Sequence, residues 1–201
     1  MPCHGRSSGV FVDQIEMSKV IEAILLHYNS ELPIEKIVTY SWGGTATLLA
    51  LDRIKKQNRI GLSINEMVSI SMPARPEAIL DIFIDTLDLP QGVAKGLTHN
   101  IAALAEADGR SLEQAFPIGL NGMLDRKQFK YLLLHGKADS AISFDNCLAL
   151  ADKYGHLETR IYEGLGHCDI VKDSRIVKAV SQHLAGKNQA SSVSSGKSIA
   201  V

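Results

Sequence analysis

Three residues of this chain have the types and the order that nucleophilic catalysis needs: Ser41, Asp139 and His167. A serine hydroxyl is a weak nucleophile until a neighbouring imidazole takes its proton, and a carboxylate can orient that imidazole. Each residue alone has an ordinary explanation. Ser41 could be a solvent-facing turn residue, Asp139 a turn carboxylate, and His167 a loop residue or a helix cap. Their positions relative to the predicted strands favour the catalytic interpretation.

Ser41 lies between a segment that predicts a strand and a segment that predicts a helix. Residues 37–40 are apolar and β-branched, which is typical of a buried strand, and residues 45–54 have apolar side chains at helical spacing. A strand, a tight turn that carries a serine and a helix form a nucleophile elbow, which exposes the hydroxyl at the carboxyl end of the sheet. The G-x-S-x-G pattern is matched in part, because Gly43 fills its second glycine position and Thr39 occupies the first.

Asp139 and His167 each lie on a loop that follows a predicted strand. The two strands are predicted at residues 131–135 and 157–162. Strands that alternate with helices indicate a parallel sheet with right-handed crossovers. Because parallel strands end at the same edge of a sheet, we expect the loops of all three residues to meet there. The order Ser, Asp, His along the chain is the order of the elbow-type hydrolases.

The remaining segments predict the elements around this edge. A further strand is predicted at residues 67–72, and flanking helices at residues 11–28, 144–153 and 174–184. Between residues 75 and 128 the pattern changes to proline-separated helices (78–87, 92–104 and 112–116), which predicts a helical cap insertion over one end of the sheet. The predicted domain spans residues 1–186. Residues 187–201 are rich in Ser, Lys and small residues and predict a disordered tail.

The composition excludes several classes of protein. The 201 residues suffice for one domain plus a tail, and 45% of them are hydrophobic. A net charge of -1 argues against nucleic-acid and anionic-membrane partners. No apolar run is long enough to span a bilayer, and the first residues lack the apolar core of a signal peptide. The three cysteines, Cys3, Cys147 and Cys168, are interpreted as free thiols in a reducing compartment, which predicts a cytoplasmic protein.

Four motifs in order give the chain a resemblance to the α/β-hydrolase family. Pro2 with His4-Gly5-Arg6-Ser7 resembles the loop after the family's fourth strand, and Ser41-Trp42-Gly43-Gly44 resembles its elbow. The segment His135-Gly136-x-x-Asp139 resembles the loop that bears the acid, and Gly164-Leu165-Gly166-His167 resembles the loop that bears the base. The resemblance implies an α/β fold in which helices flank a parallel sheet, with the core lacking the family's first strands and carrying a short helical cap.

The resemblance also implies an activity. Ser41 is expected to be the nucleophile, His167 the general base and then acid, and Asp139 the residue that orients His167. The backbone N–H of Trp42 is expected to be one oxyanion donor. The expected reaction is acyl transfer from a small or medium carboxylic ester to water, with no cofactor and no metal. The cap is expected to form the acyl or alcohol pocket, with five candidate lining residues: Phe83, Ile84, Leu87, Leu89 and Leu97.

Several alternatives stay open at this point. Without the family's first strands, residues 37–40 become an edge strand, which is an aggregation hazard unless a second copy or an upstream segment covers it. The chain could thus be a fragment of a longer protein, or an inactive or non-catalytic binding protein on a hydrolase scaffold. A zinc site is a further alternative, and its candidate ligands are Cys3, His4, His167, Cys168 and Asp169, although no C-x-x-C or H-x-x-x-H spacing supports it.

Overall fold

The computed structural model describes residues 14–57, 62–73, 84–85, 87–107, 124 and 129–186. The strands are β1 (Lys36–Tyr40), β2 (Glu66–Ile70), β3 (Lys130–Gly136) and β4 (Glu158–Tyr162). The helices are α1 (Gln14–Glu31), α2 (Trp42–Lys56), α3 (Gln91–Ala107), α4 (Asp145–Lys153) and α5 (Ser174–Leu184). Strands and helices therefore alternate along the described chain as the sequence pattern predicts.

The four strands form one parallel sheet in the order β1-β2-β3-β4. A single row of neighbours crosses the whole sheet, from Val38 to Val68, Leu132 and Glu158. Because all strands run the same way, the loops after β1, β3 and β4 leave from one edge. The predicted parallel sheet with flanking helices is confirmed.

Two hydrophobic cores lie on opposite faces of the sheet. Successive side chains of a strand point to opposite faces, so Met67 of β2 belongs to one core and Val68 to the other. The Met67 side is covered by α1, α2 and α4 through buried residues that include Leu25, Leu48, Leu51, Cys147 and Leu150. The Val68 side is covered by α5 through Ile176 and Ala179. Burial on both faces explains why β2 has no exposed residue.

Strand β1 is less buried than its sequence predicts. Within the described residues it pairs with β2 alone and forms an edge of the sheet. Only Thr39 is buried, whereas Val38 is 45% exposed and Tyr40 is 36% exposed. The burial predicted from the residues of β1 is therefore wrong, because an apolar, β-branched run reports strand propensity and not the number of neighbouring strands. The alternative expectation that residues 37–40 form an edge strand agrees with the described sheet.

Helix α1 continues past the point where the sequence predicts its end. The expected stop before Asn29-Ser30 is wrong, since the helix runs to Glu31. Both residues form local hydrogen bonds that suit a last helical turn. The Ser30 hydroxyl donates to the carbonyl of His27 at 2.5 Å, and the Asn29 Oδ1 accepts from the N–H of Ile34 at 2.8 Å.

Part of the predicted cap lies in the described chain. Helix α3 (Gln91–Ala107) corresponds to the helix predicted at residues 92–104, and in its first turn the N–H of Val93 donates to the carbonyl of Pro90, just before the helix, at 2.8 Å. The helix predicted at residues 112–116 and the tail at 187–201 lie outside the described residues, as do most of residues 78–87. The cap as a domain stays a prediction. None of the helices in the described ranges is both long and apolar enough to cross a membrane.

Candidate functional site

Ser41 lies in a strained turn between β1 and α2. Its backbone has φ 52° and ψ -137°, a positive-φ conformation that residues other than glycine seldom adopt. The surroundings hold it there: the N–H of Ser41 donates to the carbonyl of Ile70 at 2.8 Å, and the N–H of Gly44 donates to the carbonyl of Ser41 at 2.9 Å. Strained backbone of this kind concentrates at functional sites, and it is the geometry of an elbow.

The close approach that an elbow requires occurs at Gly44 and not at Gly43. A Cβ on Gly44 would lie 2.8 Å from Cγ of Met72 and 3.1 Å from Oγ1 of Thr39, whereas a Cβ on Gly43 would meet nothing within 4 Å. The second motif glycine therefore fills its sequence position without being sterically required there. Gly44 is the residue whose small size lets helix α2 start against the end of β1.

Thr39, at the first glycine position of the motif, is held in a buried polar network. Its hydroxyl lies 2.6 Å from the Ser69 hydroxyl, which also accepts a hydrogen bond from the Tyr131 hydroxyl at 2.7 Å. Ser69 is fully buried and Tyr131 nearly so. A buried hydroxyl without a partner would be costly, and these three hydroxyls satisfy one another. The branched side chain of Thr39 is thus accommodated by side chains from β2 and β3.

The structure brings Ser41, His167 and Asp139 together, and we call these residues the Ser–His–Asp cluster. The distance from His167 Nε2 to Ser41 Oγ is 3.0 Å, and the distance from His167 Nδ1 to Asp139 Oδ2 is 2.7 Å. The carboxylate only accepts, so Nδ1 carries the proton and Nε2 is left to accept from the serine hydroxyl. The His167 side chain is 19% exposed, whereas that of Asp139 is fully buried.

Asp139 is held as a buried carboxylate by several donors. Its Oδ1 accepts from the N–H groups of Ala141 at 3.0 Å and Ile142 at 2.8 Å. Burial alone would raise the pKa of Asp139, but the nearby His135 N–H and the hydrogen bonds from His167 and Ile142 outweigh it and hold the pKa well below its ordinary value. Asp139 is therefore ionised throughout the neutral range.

His135 is a neighbour of the cluster that the sequence patterns did not single out by role. It is 1% exposed, and its Nε2 lies 2.8 Å from the carbonyl of Ile142 and 3.4 Å from Asp139 Oδ2. The shorter contact is the hydrogen bond, and the longer one adds an N–H dipole that faces the carboxylate. The sequence signal for this residue was its position directly before Gly136, in the segment that resembles the acid-bearing loop.

The loops that carry Asp139 and His167 are packed against each other. A Cβ on Gly136 would lie 2.2 Å from the carbonyl oxygen of Leu165, which is a severe clash. The clash involves backbone atoms, so it cannot be relieved by moving a side chain. The same carbonyl accepts from the N–H of Ala138 at 3.1 Å. Gly164 has φ 73°, a backbone conformation that glycine adopts without strain. Glycines in both loop motifs therefore have steric reasons to be glycine.

The predicted pocket and metal ligands are placed only in part. Of the five candidate lining residues, Phe83 lies outside the described residues, Leu87 is 60% exposed, and the other three are half-buried, so pocket lining stays a prediction. A cavity of about 540 Å³ lies beside Lys36 at the opposite end of β1 from Ser41, and it is no part of this cluster.

Of the candidate metal ligands, Cys3 and His4 lie outside the described ranges. Within those ranges, His, Cys, Asp and Glu side chains form no group of three that could hold a metal.

Comparison with solved structures shows the fold. Similar structures include a monoacylglycerol lipase from Paleococcus ferrophilus, with a TM-score of 0.58, 16% identity and coverage of 94% of this chain and 82% of that one. An esterase from a Rhodococcus species matches with a TM-score of 0.62, 13% identity and coverage of 94% and 79%. The α/β hydrolase domain-containing protein 10 from mouse matches with a TM-score of 0.53, 14% identity and coverage of 90% and 72%.

At these identities the similarity is one of architecture. No protein-family model matches the sequence, and comparison with curated proteins finds no match. The chain has the α/β-hydrolase fold, as the sequence motifs indicated. Among solved structures with this architecture, esterases and lipases recur.

Proposed function

We propose that this protein is a serine hydrolase that cleaves a carboxylic ester through a Ser41 acyl-enzyme. The observation that carries the proposal is the pair of contacts made by His167, 3.0 Å to the Ser41 hydroxyl and 2.7 Å to the Asp139 carboxylate. An imidazole between a hydroxyl and an ionised carboxylate is the arrangement that activates a serine.

In the first half of the reaction, Ser41 Oγ attacks the ester carbonyl while His167 Nε2 takes its proton. A bond forms between Oγ and the carbonyl carbon, and the carbonyl oxygen becomes an oxyanion. The imidazolium is stabilised by the ionised Asp139, to which Nδ1 keeps donating. His167 then gives its proton to the alkoxy oxygen as the bond between carbon and that oxygen breaks, which releases the alcohol.

In the second half, water takes the place of the alcohol. His167 removes a proton from the water as the water oxygen attacks the acyl carbon, and it returns the proton to Ser41 Oγ when the acid leaves. The same imidazole thus serves as base and acid in each half, with no net proton gained by the protein. This sequence requires only the three side chains of the Ser–His–Asp cluster and a group that holds the oxyanion.

We assign one oxyanion contact to the backbone N–H of Trp42. Trp42 is the first residue of α2 and directly follows the nucleophile, the position from which an elbow supplies its donor. The partial positive charge at the helix N-terminus adds to the stabilisation of negative charge there. Loss of one such donor typically lowers the rate about 100- to 1000-fold.

An ester is the proposed substrate because esterases and a monoacylglycerol lipase share this architecture. The proposed acyl chain is small or medium. Ile84, Leu89 and Leu97, which are half-buried in the segment predicted as a cap, are the proposed apolar lining. A panel of p-nitrophenyl esters from acetate to octanoate tests this choice, and alanine at Leu97 should change the chain-length preference more than the overall rate.

The decisive experiment is covalent labelling with a serine-directed fluorophosphonate probe. We would compare the wild-type chain with Ser41→Ala and with Ser181→Ala, which removes an exposed serine on α5. We expect labelling to disappear in the first variant and to persist in the second. A chain extended upstream of Met1 belongs in the same experiment, since labelling seen only there would mean that upstream residues complete the site. If no folded form is labelled, the hydrolase proposal fails and a non-catalytic binding protein becomes the better interpretation.

A further inference from the structure

Tyr40 joins the end of β1 to the loop that carries His167. It is the last residue of the strand and the immediate neighbour of Ser41. Its hydroxyl donates to the backbone carbonyl of His167 at 2.9 Å. Its ring lies beside the imidazole, with 5.1 Å between the ring centroids and 36° between the planes. One side chain therefore contacts both the main chain and the ring of the histidine.

These contacts restrain a part of His167 that Asp139 leaves free. The hydrogen bond from Nδ1 to Asp139 fixes one atom of the imidazole, and the ring could still pivot about that bond. Aromatic contact with Tyr40 limits the pivot, and the hydrogen bond to the carbonyl limits movement of the loop. Partial burial, with Cys168 nearby, raises the pKa of Tyr40 to about 12, so the hydroxyl keeps its proton at neutral pH.

We propose that Tyr40 is a positioning residue that holds the His167 imidazole at hydrogen-bonding distance from Ser41. The inference rests on the proposed function of the Ser–His–Asp cluster and adds a fourth residue to it. Because Tyr40 and Ser41 are consecutive, the same strand end sets the position of the nucleophile and of the group that holds its base. Catalysis is sensitive to this distance, since a misplacement of about 1 Å can lower a rate about 100-fold.

The test compares two substitutions at Tyr40 with a matched substitution elsewhere. Tyr40→Phe removes the hydrogen bond and keeps the ring, Tyr40→Leu removes both, and Tyr28→Leu removes an exposed tyrosine from α1. We expect the rate of fluorophosphonate labelling to fall about 2- to 10-fold in Tyr40→Phe, the range of one net hydrogen bond. We expect a fall of about 10- to 100-fold in Tyr40→Leu. Tyr28→Leu should label at the wild-type rate.

With a p-nitrophenyl ester, the loss in Tyr40→Leu should appear in kcat, and KM should stay within about twofold, because Tyr40 is proposed to act through His167. Melting temperatures of all variants identify any effect of folding. If a folded Tyr40→Leu labels as fast as wild type, the proposal is wrong. A wild-type rate in Tyr40→Phe also contradicts it, and this variant decides the question if Tyr40→Leu does not fold.

A second readout separates this proposal from the proposed function. In a Ser41→Ala background, the proton between His167 Nδ1 and Asp139 should give a downfield NMR resonance, which needs no substrate. We expect Tyr40→Leu to broaden or shift that resonance and Tyr28→Leu to leave it unchanged. If Tyr40→Leu changes the resonance but the fluorophosphonate probe labels no form of the chain, the hydrolase function is refuted and the positioning role of Tyr40 is not. If Tyr40→Leu changes neither the resonance nor the labelling rate, the positioning role is refuted and the hydrolase function is not.

Discussion

Replacing Asp139 by Asn is the sharpest perturbation of the cluster, because the structure dictates which way the new amide faces. Oδ1 of Asp139 accepts from the N–H groups of Ala141 and Ile142. Those two donors require an oxygen, so the amide oxygen of the asparagine takes that place. The amide NH₂ must then occupy the position of Oδ2, which is 2.7 Å from Nδ1 of His167.

Two donors cannot face each other at that distance, so His167 must change its tautomer. Nδ1 then accepts from the amide, and the proton moves to Nε2, which faces Ser41 Oγ at 3.0 Å. An Nε2 that already carries a proton cannot take another from the serine. The same carboxylate-to-amide change in a Ser-His-Asp protease lowers kcat about 10⁴-fold, and we expect a loss of that order here.

The assay is the rate of fluorophosphonate labelling, with p-nitrophenyl butyrate turnover as a second measure. The matched control is Asp145→Asn in the first turn of α4, which should label at the wild-type rate. Thermal melting establishes that Asp139→Asn is folded at the assay temperature. If the folded variant labels within about tenfold of wild type, the tautomer reasoning is wrong and Asp139 is a structural carboxylate.

Three further predictions concern stability and association. Because the pKa of Asp139 is lowered in the folded state, ionisation of Asp139 stabilises the protein above about pH 4. This contribution should fade as the pH falls towards the folded-state pKa. The difference in unfolding free energy between wild type and Asp139→Asn should therefore shrink on acidification. Gly136→Ala places a Cβ against the Leu165 carbonyl and should cost about 3 kcal/mol in urea unfolding, whereas Gly155→Ala, which meets open space, should cost less than about 0.5 kcal/mol. Val38→Lys on the exposed edge of β1 should reduce self-association by light scattering and change stability by less than about 0.5 kcal/mol; unchanged scattering would mean that this edge does not associate.

The sequence was sufficient to place the Ser–His–Asp cluster at one edge of the sheet because that placement depends on strand direction alone. Once strands alternate with helices, residues that follow the strands share an edge whatever the detailed packing. The order Ser, Asp, His along the chain and the glycines in the loops after β3 and β4 supported the same placement. Gly136 and Gly164 have the steric roles that glycines in such motifs suggest, a close approach and a positive φ.

The features that the sequence did not predict depend on which elements and side chains become neighbours in the folded chain. The apolar residues of β1 predicted burial, but Val38 is exposed because the described sheet has no strand on that side. The expectation of an edge strand came from the family resemblance and not from the residues of β1. Similarly, the motif drew attention to Gly43, whereas the contact with Met72 is made at Gly44. The contact between Tyr40 and His167 was missed because the two residues are distant in sequence and meet through the fold of the His167 loop.

The arrangement of strands explains why His167 needs more than one restraint. It follows β4, whereas Ser41 follows β1, and β2 and β3 lie between them. At about 4.8 Å per strand, the imidazole must be presented roughly 14 Å from the strand that carries its loop. A loop that reaches so far is mobile unless it is tied at its far end. Asp139, which follows β3, holds the imidazole, and Tyr40, at the end of β1, contacts both the ring and the backbone carbonyl of His167. Two strands other than β4 therefore hold the far end of this loop.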